Sequence, residues 1–284
     1  MRLGIASNKK SVFSSPDEWA AKYSELGLGA VVFPLNHKAS DAEIDSYVKA
    51  CRDHDLVIAE VGAWRKPESR SPEELKYKMY WRKRQLELAD YIGACCCVDI
   101  TGGAGEVWTG GCRQNYDPAF QAEIINGIRE IVDEVKPTRT FYTLEPMPWM
   151  IPWSPENYLD VLKRIDRPRV AVHMDAINMV TDPEKLFFNR EFLDRCFELL
   201  GPQTKGCHIK DVKLETQLTV RLIETTCGAG DLDLLHYMEL AHAVSPDMPV
   251  IIEHLQTMEE YLAALGYLKE LIARSGKDLG FTHR

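Results

Sequence analysis

The sequence predicts an α/β protein in which eight strand–helix units close into a parallel (β/α)8 barrel. Short β-branched apolar runs alternate with longer amphipathic stretches eight times along the chain. The units average about 35 residues, the size of a βα unit with a right-handed crossover. No GxGxxG follows the first strand, which runs GIASNKK, and this disfavours an open doubly wound sheet.

The elements follow in order. RLGIAS (2–7) is the first strand, and the helix behind it is capped around Ser15-Pro16-Asp17. AVVFPL (30–35) is the second, followed by a helix over 40–53 with Ser40 as N-cap and Glu43 three residues on. LVIAEVGA (56–63) is the third, and Ser71-Pro72-Glu73-Glu74 opens a long helix reaching about residue 89. YIGACCCVDI (91–100) is the fourth, with a helix over 119–135, and TFYTLE (140–145) the fifth, with a helix over 155–165. VAVHMD (170–175) precedes a helix over 190–200, and KGCHIK (205–210) a helix near 232–243. VIIEH (250–254) is the eighth strand and 258–275 the last helix. No linker or low-complexity segment interrupts the pattern, so residues 1–284 read as one domain.

Composition narrows the function classes. Hydrophobic residues are 45% and charged residues 27%, ordinary for a soluble globular chain. The net charge of −9 argues against a nucleic-acid backbone or an anionic membrane as the main partner. No apolar run approaches the ~18 residues that span a bilayer, and MRLGIASNKK lacks a signal peptide's apolar stretch. The expected location is the cytoplasm, with the eight cysteines reduced, since no CxxC pair suggests a zinc ribbon or redox site.

In such a barrel, chemistry is expected at the C-terminal ends of the strands. Strands five to eight end on Glu145, Asp175, His208 and Glu253, about one βα unit apart. A lone carboxylate after a strand is more often a helix cap or a salt-bridge partner. Four such groups on four successive strands are not explained that way, because buried carboxylates near one point repel unless a cation is shared. Three oxygen donors and one nitrogen suit one divalent ion, Mn²⁺ first, with Mg²⁺, Co²⁺ or Zn²⁺ as alternatives. An ion of this kind can chelate a hydroxyl and an adjacent carbonyl and stabilise the enediolate formed on proton loss.

Other residues are candidates for substrate contact. His173 lies two before Asp175 and shares its face in a regular strand. Glu60 has the parity of Ile58, Gly62 and Trp64 near the end of strand three, with an internal ion pair as the alternative. Lys210 shares the parity of His208, for a substrate oxygen or a surface salt bridge. Trp64, Trp108, Trp149 and Trp153 follow strand ends and offer indole faces to sugar C–H surfaces, or else fill the core. The glycine-rich loop 101–116 reads as a lid. Arg221 is a candidate for a phosphate or hydroxyl, or else exposed.

The segments TLEPMPW (143–149), VHMDAINM (172–179), GCHIKDV (206–212), CGAGDLDL (227–234) and VIIEHL (250–255) resemble the xylose isomerase-like TIM barrels, the sugar phosphate isomerases and epimerases. Ketose 3-epimerases, hydroxypyruvate isomerase, inosose dehydratase and endonuclease IV belong to that family. The resemblance implies that Glu145, Asp175, His208 and Glu253 bind one divalent metal. It also implies that Glu145 and Glu253 flank the substrate as the proton-transfer pair of an isomerase or epimerase. A lyase or dehydratase of a keto-sugar, keto-inositol or 3-keto glycoside is the alternative that uses the same chemistry. Asn178 stands where ketose 3-epimerases often carry a histidine and is kept as a substrate contact, while their substrate-binding arginine has no clear match. The stretch 213–221 reads as an insertion that reshapes the pocket. The endonuclease's further histidines are lacking. A small-molecule partner and a homo-dimer or homo-tetramer are implied.

Overall fold

The parallel wall of the barrel is built from β1 (Arg2–Ile5), β2 (Ala30–Val32), β3 (Val57–Gly62), β4 (Cys96–Asp99), β5 (Tyr142–Leu144), β6 (Val170–Met174), β7 (Thr204–Ile209) and β10 (Pro249–Ile252). A computed structural model describes residues 1–6, 13–66 and 71–280; Ser7, the expected end of the first strand, lies outside the described residues. The strands pair in the order β1-β10-β7-β6-β5-β4-β3-β2, all parallel. The two outer strands meet as well. Leu3 O accepts the N–H of Gly29 at 2.9 Å. Gly4 permits that approach, since a Cβ there would lie 2.6 Å from Ala30 O. The wall is therefore a nearly closed (β/α)8 barrel, as the strand count predicts.

Helices α1 (Pro16–Glu25), α2 (Asp41–Asp53), α3 (Pro72–Ile92), α4 (Pro118–Val135), α5 (Pro155–Ile165), α6 (Pro183–Phe187), α7 (Asn189–Leu200), α8 (Leu234–Val244) and α9 (Met258–Ser275) connect the strands. Their starts are set locally. Ser15, Ser40, Ser71, Ser154 and Thr257 each accept the backbone N–H three residues on. Proline opens α1, α3 and α5, where its missing N–H costs nothing. Buried Trp19, Tyr23, Tyr47, Tyr158, Tyr237 and Leu268 fill the layer between wall and helices. Each fully buried Leu or Tyr contributes about 2 kcal/mol of apolar transfer.

Two elements depart from the sequence reading. Tyr91 and Ile92 are the last turn of α3 and not the start of strand four, because Gly93, at φ 70°, ends the helix after them. Directly after β7 the chain forms an antiparallel hairpin, β8 (Asp211–Leu214) with β9 (Leu222–Thr225), whose arms and tip hold the expected insertion. All eight cysteines are free, with Cys96 and Cys97 buried. Among the described residues, no helix is long and apolar enough to cross a membrane.

Candidate metal centre

The fold brings the four strand-end residues together. Glu145 follows β5, Asp175 follows β6, His208 is the fifth residue of β7 and Glu253 follows β10. All four are buried, and one ligating atom from each lies within 4.8 Å of the others. His208 Nδ1 is 2.9 Å from Glu253 Oε2 and 3.5 Å from Glu145 Oε1. Despite that proximity, Nδ1 has no hydrogen-bond partner of acceptable angle. Three carboxylates and one imidazole nitrogen around one point fit a single hard or borderline divalent ion.

Lys210 lies within the cluster. Its buried ammonium donates to Asp175 Oδ2 at 2.5 Å and to Glu253 Oε1. A surface salt bridge is thereby excluded: the side chain is an internal counter-charge to two of the carboxylates. Asn178 braces the other side. Its Nδ2 donates to Glu145 Oε1 at 3.2 Å, and its backbone N–H to Asp175 Oδ1 at 3.1 Å.

The proton affinities of the group diverge. Burial, with Glu253 and Glu145 nearby, outweighs Lys210 and pushes Asp175 up to about 7. Burial opposes ionisation of Glu253 too, but His208 and Lys210 overcome it and hold that carboxyl well below its ordinary range. Burial and Glu253 work against Glu145, and His208 and Lys210 still bring it down. For His208 burial favours the neutral ring, yet Glu253, Glu60 and Glu145 raise it well above an ordinary histidine.

Glu60 and His173, expected at the substrate, are fully buried. His173 precedes Asp175 by two on β6, one layer down the strand, and its Nε2 is 2.9 Å from Glu60 Oε2. His208 Nε2 lies 3.4 Å from both Glu60 oxygens. Both oxygens thus face imidazoles, which places Glu60 beside the cluster's histidine.

The remaining candidates surround the loop 101–116. Trp108 lies against Gly102, where a Cβ would meet its indole, with Lys78 Nζ 5.3 Å from its ring centre. Trp149 is 37% exposed and donates through Nε1 to Thr109 O at 2.7 Å. Buried Asn115 ties the segment down: its Oδ1 accepts from Ala104 N at 2.8 Å, and its Nδ2 donates to Gly110 O at 3.1 Å and Trp149 O at 3.0 Å. The loop expected as a lid is thus anchored at its centre. Arg221 is exposed beside Gln217 and Glu215 on the hairpin.

Sequence reasoning missed His254 and Glu224. Regular alternation turns the residue after Glu253 away from the cluster. A φ of 61° at His254 instead brings its Nε2 to 3.4 Å from Glu253 Oε2. A side-chain-bearing residue held there is unusual, and such positions cluster at functional sites. Its Nδ1 is 3.0 Å from both oxygens of Glu224, which β9 delivers to the rim, and Glu224 Oε2 is 3.8 Å from Lys210 Nζ. The visible signal was the histidine beside Glu253; the hairpin partner had none.

Comparison with known proteins agrees with this architecture. A family model described as xylose isomerase-like TIM barrel matches residues 20–271. No curated protein matches the sequence. Among solved structures, a xylose isomerase-like TIM barrel protein from Mycobacterium smegmatis in complex with magnesium superposes with a TM-score of 0.64 at 17% identity, covering 92% of this chain and 90% of that one. The 3-keto-D-glucoside 4-epimerase from E. coli gives 0.68 at 15% identity, with 95% and 99% coverage. A probable 3-DHS dehydratase from Bacillus anthracis gives 0.69 at 12%, again with 95% and 99%.

Proposed function

The chain belongs to the xylose isomerase-like TIM barrel family, and from that premise we propose that it is a divalent-metal-dependent isomerase or epimerase of a small sugar or sugar derivative. The reaction is proton transfer at the carbon beside a carbonyl, through an enediolate. The observation that supports this most is the convergence of Glu145, Asp175, His208 and Glu253 at the strand ends. These four would hold the ion, Mn²⁺ first and Mg²⁺, Co²⁺ or Zn²⁺ as alternatives. When bound, the ion supplies Lewis acidity to a hydroxyl and the neighbouring carbonyl oxygen, so that the developing negative charge is stabilised.

The chain's own residues move the protons. Glu145 and Glu253 approach from β5 and β10, on either side of β6 and β7 in the wall. One removes the proton and the other returns it on the opposite face, which inverts one stereocentre without a redox cofactor. Asn178 orients Glu145, and Lys210 holds Asp175 and Glu253 in place. Trp108 and Trp149 supply indole faces to the sugar's C–H surface.

A second reading rests on His254. Its half-exposed imidazole beside Glu253 places a proton donor at the rim, where a leaving group would depart. With that donor in use the same chemistry expels a β-substituent, as a lyase or dehydratase.

The test is a screen of ketoses, inososes and 3-keto glycosides with metal-reconstituted protein, followed by NMR in D₂O. An isomerase conserves substrate mass and a lyase does not. Glu145→Gln and Glu253→Gln are expected to abolish solvent-deuterium incorporation at the substrate carbon. Incorporation persisting in both variants would refute the proposal.

A further inference from the structure

We propose that Glu60 is a positioning residue that makes His208 a ligand through Nδ1. Its buried carboxylate takes the Nε2–H of His208, with His173 as its second anchor. The inference rests on the metal reading of the preceding section and concerns how this chain prepares one of its four donors.

A neutral imidazole carries one N–H and one lone pair, and a metal needs the lone pair. Which nitrogen offers it is decided by the partner of the other one. His208 stands between two acidic neighbourhoods. Nδ1 faces Glu253 Oε2 at 2.9 Å and Glu145 Oε1 at 3.5 Å. Nε2 faces both oxygens of Glu60 at 3.4 Å. Glu60 is 1% exposed on β3, four strands round the wall from β7, which carries His208, and lies inside the apolar run VIAEVG. An ionised carboxylate there accepts only, and it must find donors or pay several kcal/mol for burial. The N–H groups beside it belong to the two imidazoles.

His173 completes the arrangement. Its Nε2 lies 2.9 Å from Glu60 Oε2, and its ring centre is 4.1 Å from that of His208 at 64°. Its backbone N–H donates to Tyr158 Oη at 3.2 Å, which fixes the strand that carries it. Glu60 is thus held from the His173 side while it holds His208. Both imidazoles then keep their protons on Nε2, and the His208 lone pair is left among Glu145, Asp175 and Glu253. Glu60, His173 and His208 also lie close enough to ligate an ion themselves. That competing arrangement requires His208 to give up its Nε2 proton, so the two readings differ in stoichiometry and in tautomer.

The experiment uses Co²⁺ and Zn²⁺ alone as probes on the full chain. In Zn²⁺-loaded protein with ¹⁵N-labelled histidine, NMR is expected to show His208 protonated on Nε2 and bonded to zinc through Nδ1. Glu60→Gln, which keeps the shape and loses the second acceptor oxygen, is expected to weaken Co²⁺ binding about 10–100-fold and to shift the Co²⁺ absorption bands. A loss under tenfold, zinc on Nε2 of His208, or two ions per chain would each overturn the inference. Should Glu60→Gln fail to fold, the NMR of the unmutated protein decides alone. Unmutated protein that takes up neither ion overturns the function proposed above as well; uptake that Glu60→Gln leaves unchanged overturns only the role of Glu60.

Discussion

Asp211 holds the turn that contains Gly230: its Oδ2 accepts the Gly230 N–H at 3.1 Å and the Gly228 N–H at 3.0 Å. Its Oδ1 accepts from Val212 at 2.9 Å and from Leu232 at 3.1 Å. One carboxylate therefore ties the HIKD segment of β7 and β8 to the CGAGDLDL turn before α8, and the two sequence motifs are parts of one clamp. Gly230 has no room for a side chain, since a Cβ would sit 2.3 Å from Asp211 Oδ1 and 2.5 Å from Val212 O. Gly230→Ala is expected to lower stability by about 1–3 kcal/mol, the usual range for overpacking. Urea unfolding measures it, and an unchanged midpoint would count against the clamp.

The barrel was legible because its signals are local. Serine and proline caps and β-branched runs specify each unit, and convergence at the strand ends follows from the architecture, so Glu145, Asp175, His208 and Glu253 could be read off the chain. Contacts set by the tertiary structure were not legible. The hairpin of β8 and β9 shows in the sequence only as an inserted stretch over 213–221, since no turn dipeptide marks its tip. Strand parity said that Lys210 shares a face with His208 but not that its ammonium ends between Asp175 and Glu253. The partner of Glu60 lies across the barrel, and no spacing records it.

Lys210→Met removes a buried cation from between two buried carboxylates. Leaving such charges uncompensated costs about 3–5 kcal/mol, so metal-free Lys210→Met is expected to melt well below the unmutated protein. Added Mn²⁺ then replaces the missing charge and should raise the melting temperature of the variant more than that of the parent. Equal melting temperatures in the metal-free proteins would show that Lys210 compensates neither carboxylate.

Uptake of the ion is expected to release protons and to tighten as pH rises. Asp175 sits at about 7 because burial, Glu253 and Glu145 outweigh Lys210. His208 stays protonated above the ordinary histidine range because Glu253, Glu60 and Glu145 outweigh burial. Both must lose a proton to ligate, so protons compete with the ion below the pKa of each group and stop competing above it. Calorimetry of Mn²⁺ binding in two buffers of different ionisation heat, at about pH 6 and about pH 8, reads the released protons directly. Affinity that is flat across that range, with no buffer dependence, would contradict the assignment of these two residues as ligands.

His254→Gly separates backbone strain from function at the rim. Histidine at φ 61° occupies the left-handed region, which costs a residue with a Cβ about 1–2 kcal/mol and costs glycine nothing. The substitution relieves that strain but adds freedom to the unfolded chain and removes the contact with Glu224. These effects oppose each other, so stability is expected to stay within about 1 kcal/mol of the parent. Turnover of the substrate found in the screen is expected to fall, because the imidazole held 3.4 Å from Glu253 is gone. Stability from urea unfolding and turnover from the NMR assay are read on the same preparation. Full turnover in a stably folded His254→Gly would mean that the left-handed backbone serves only to turn the chain out of β10.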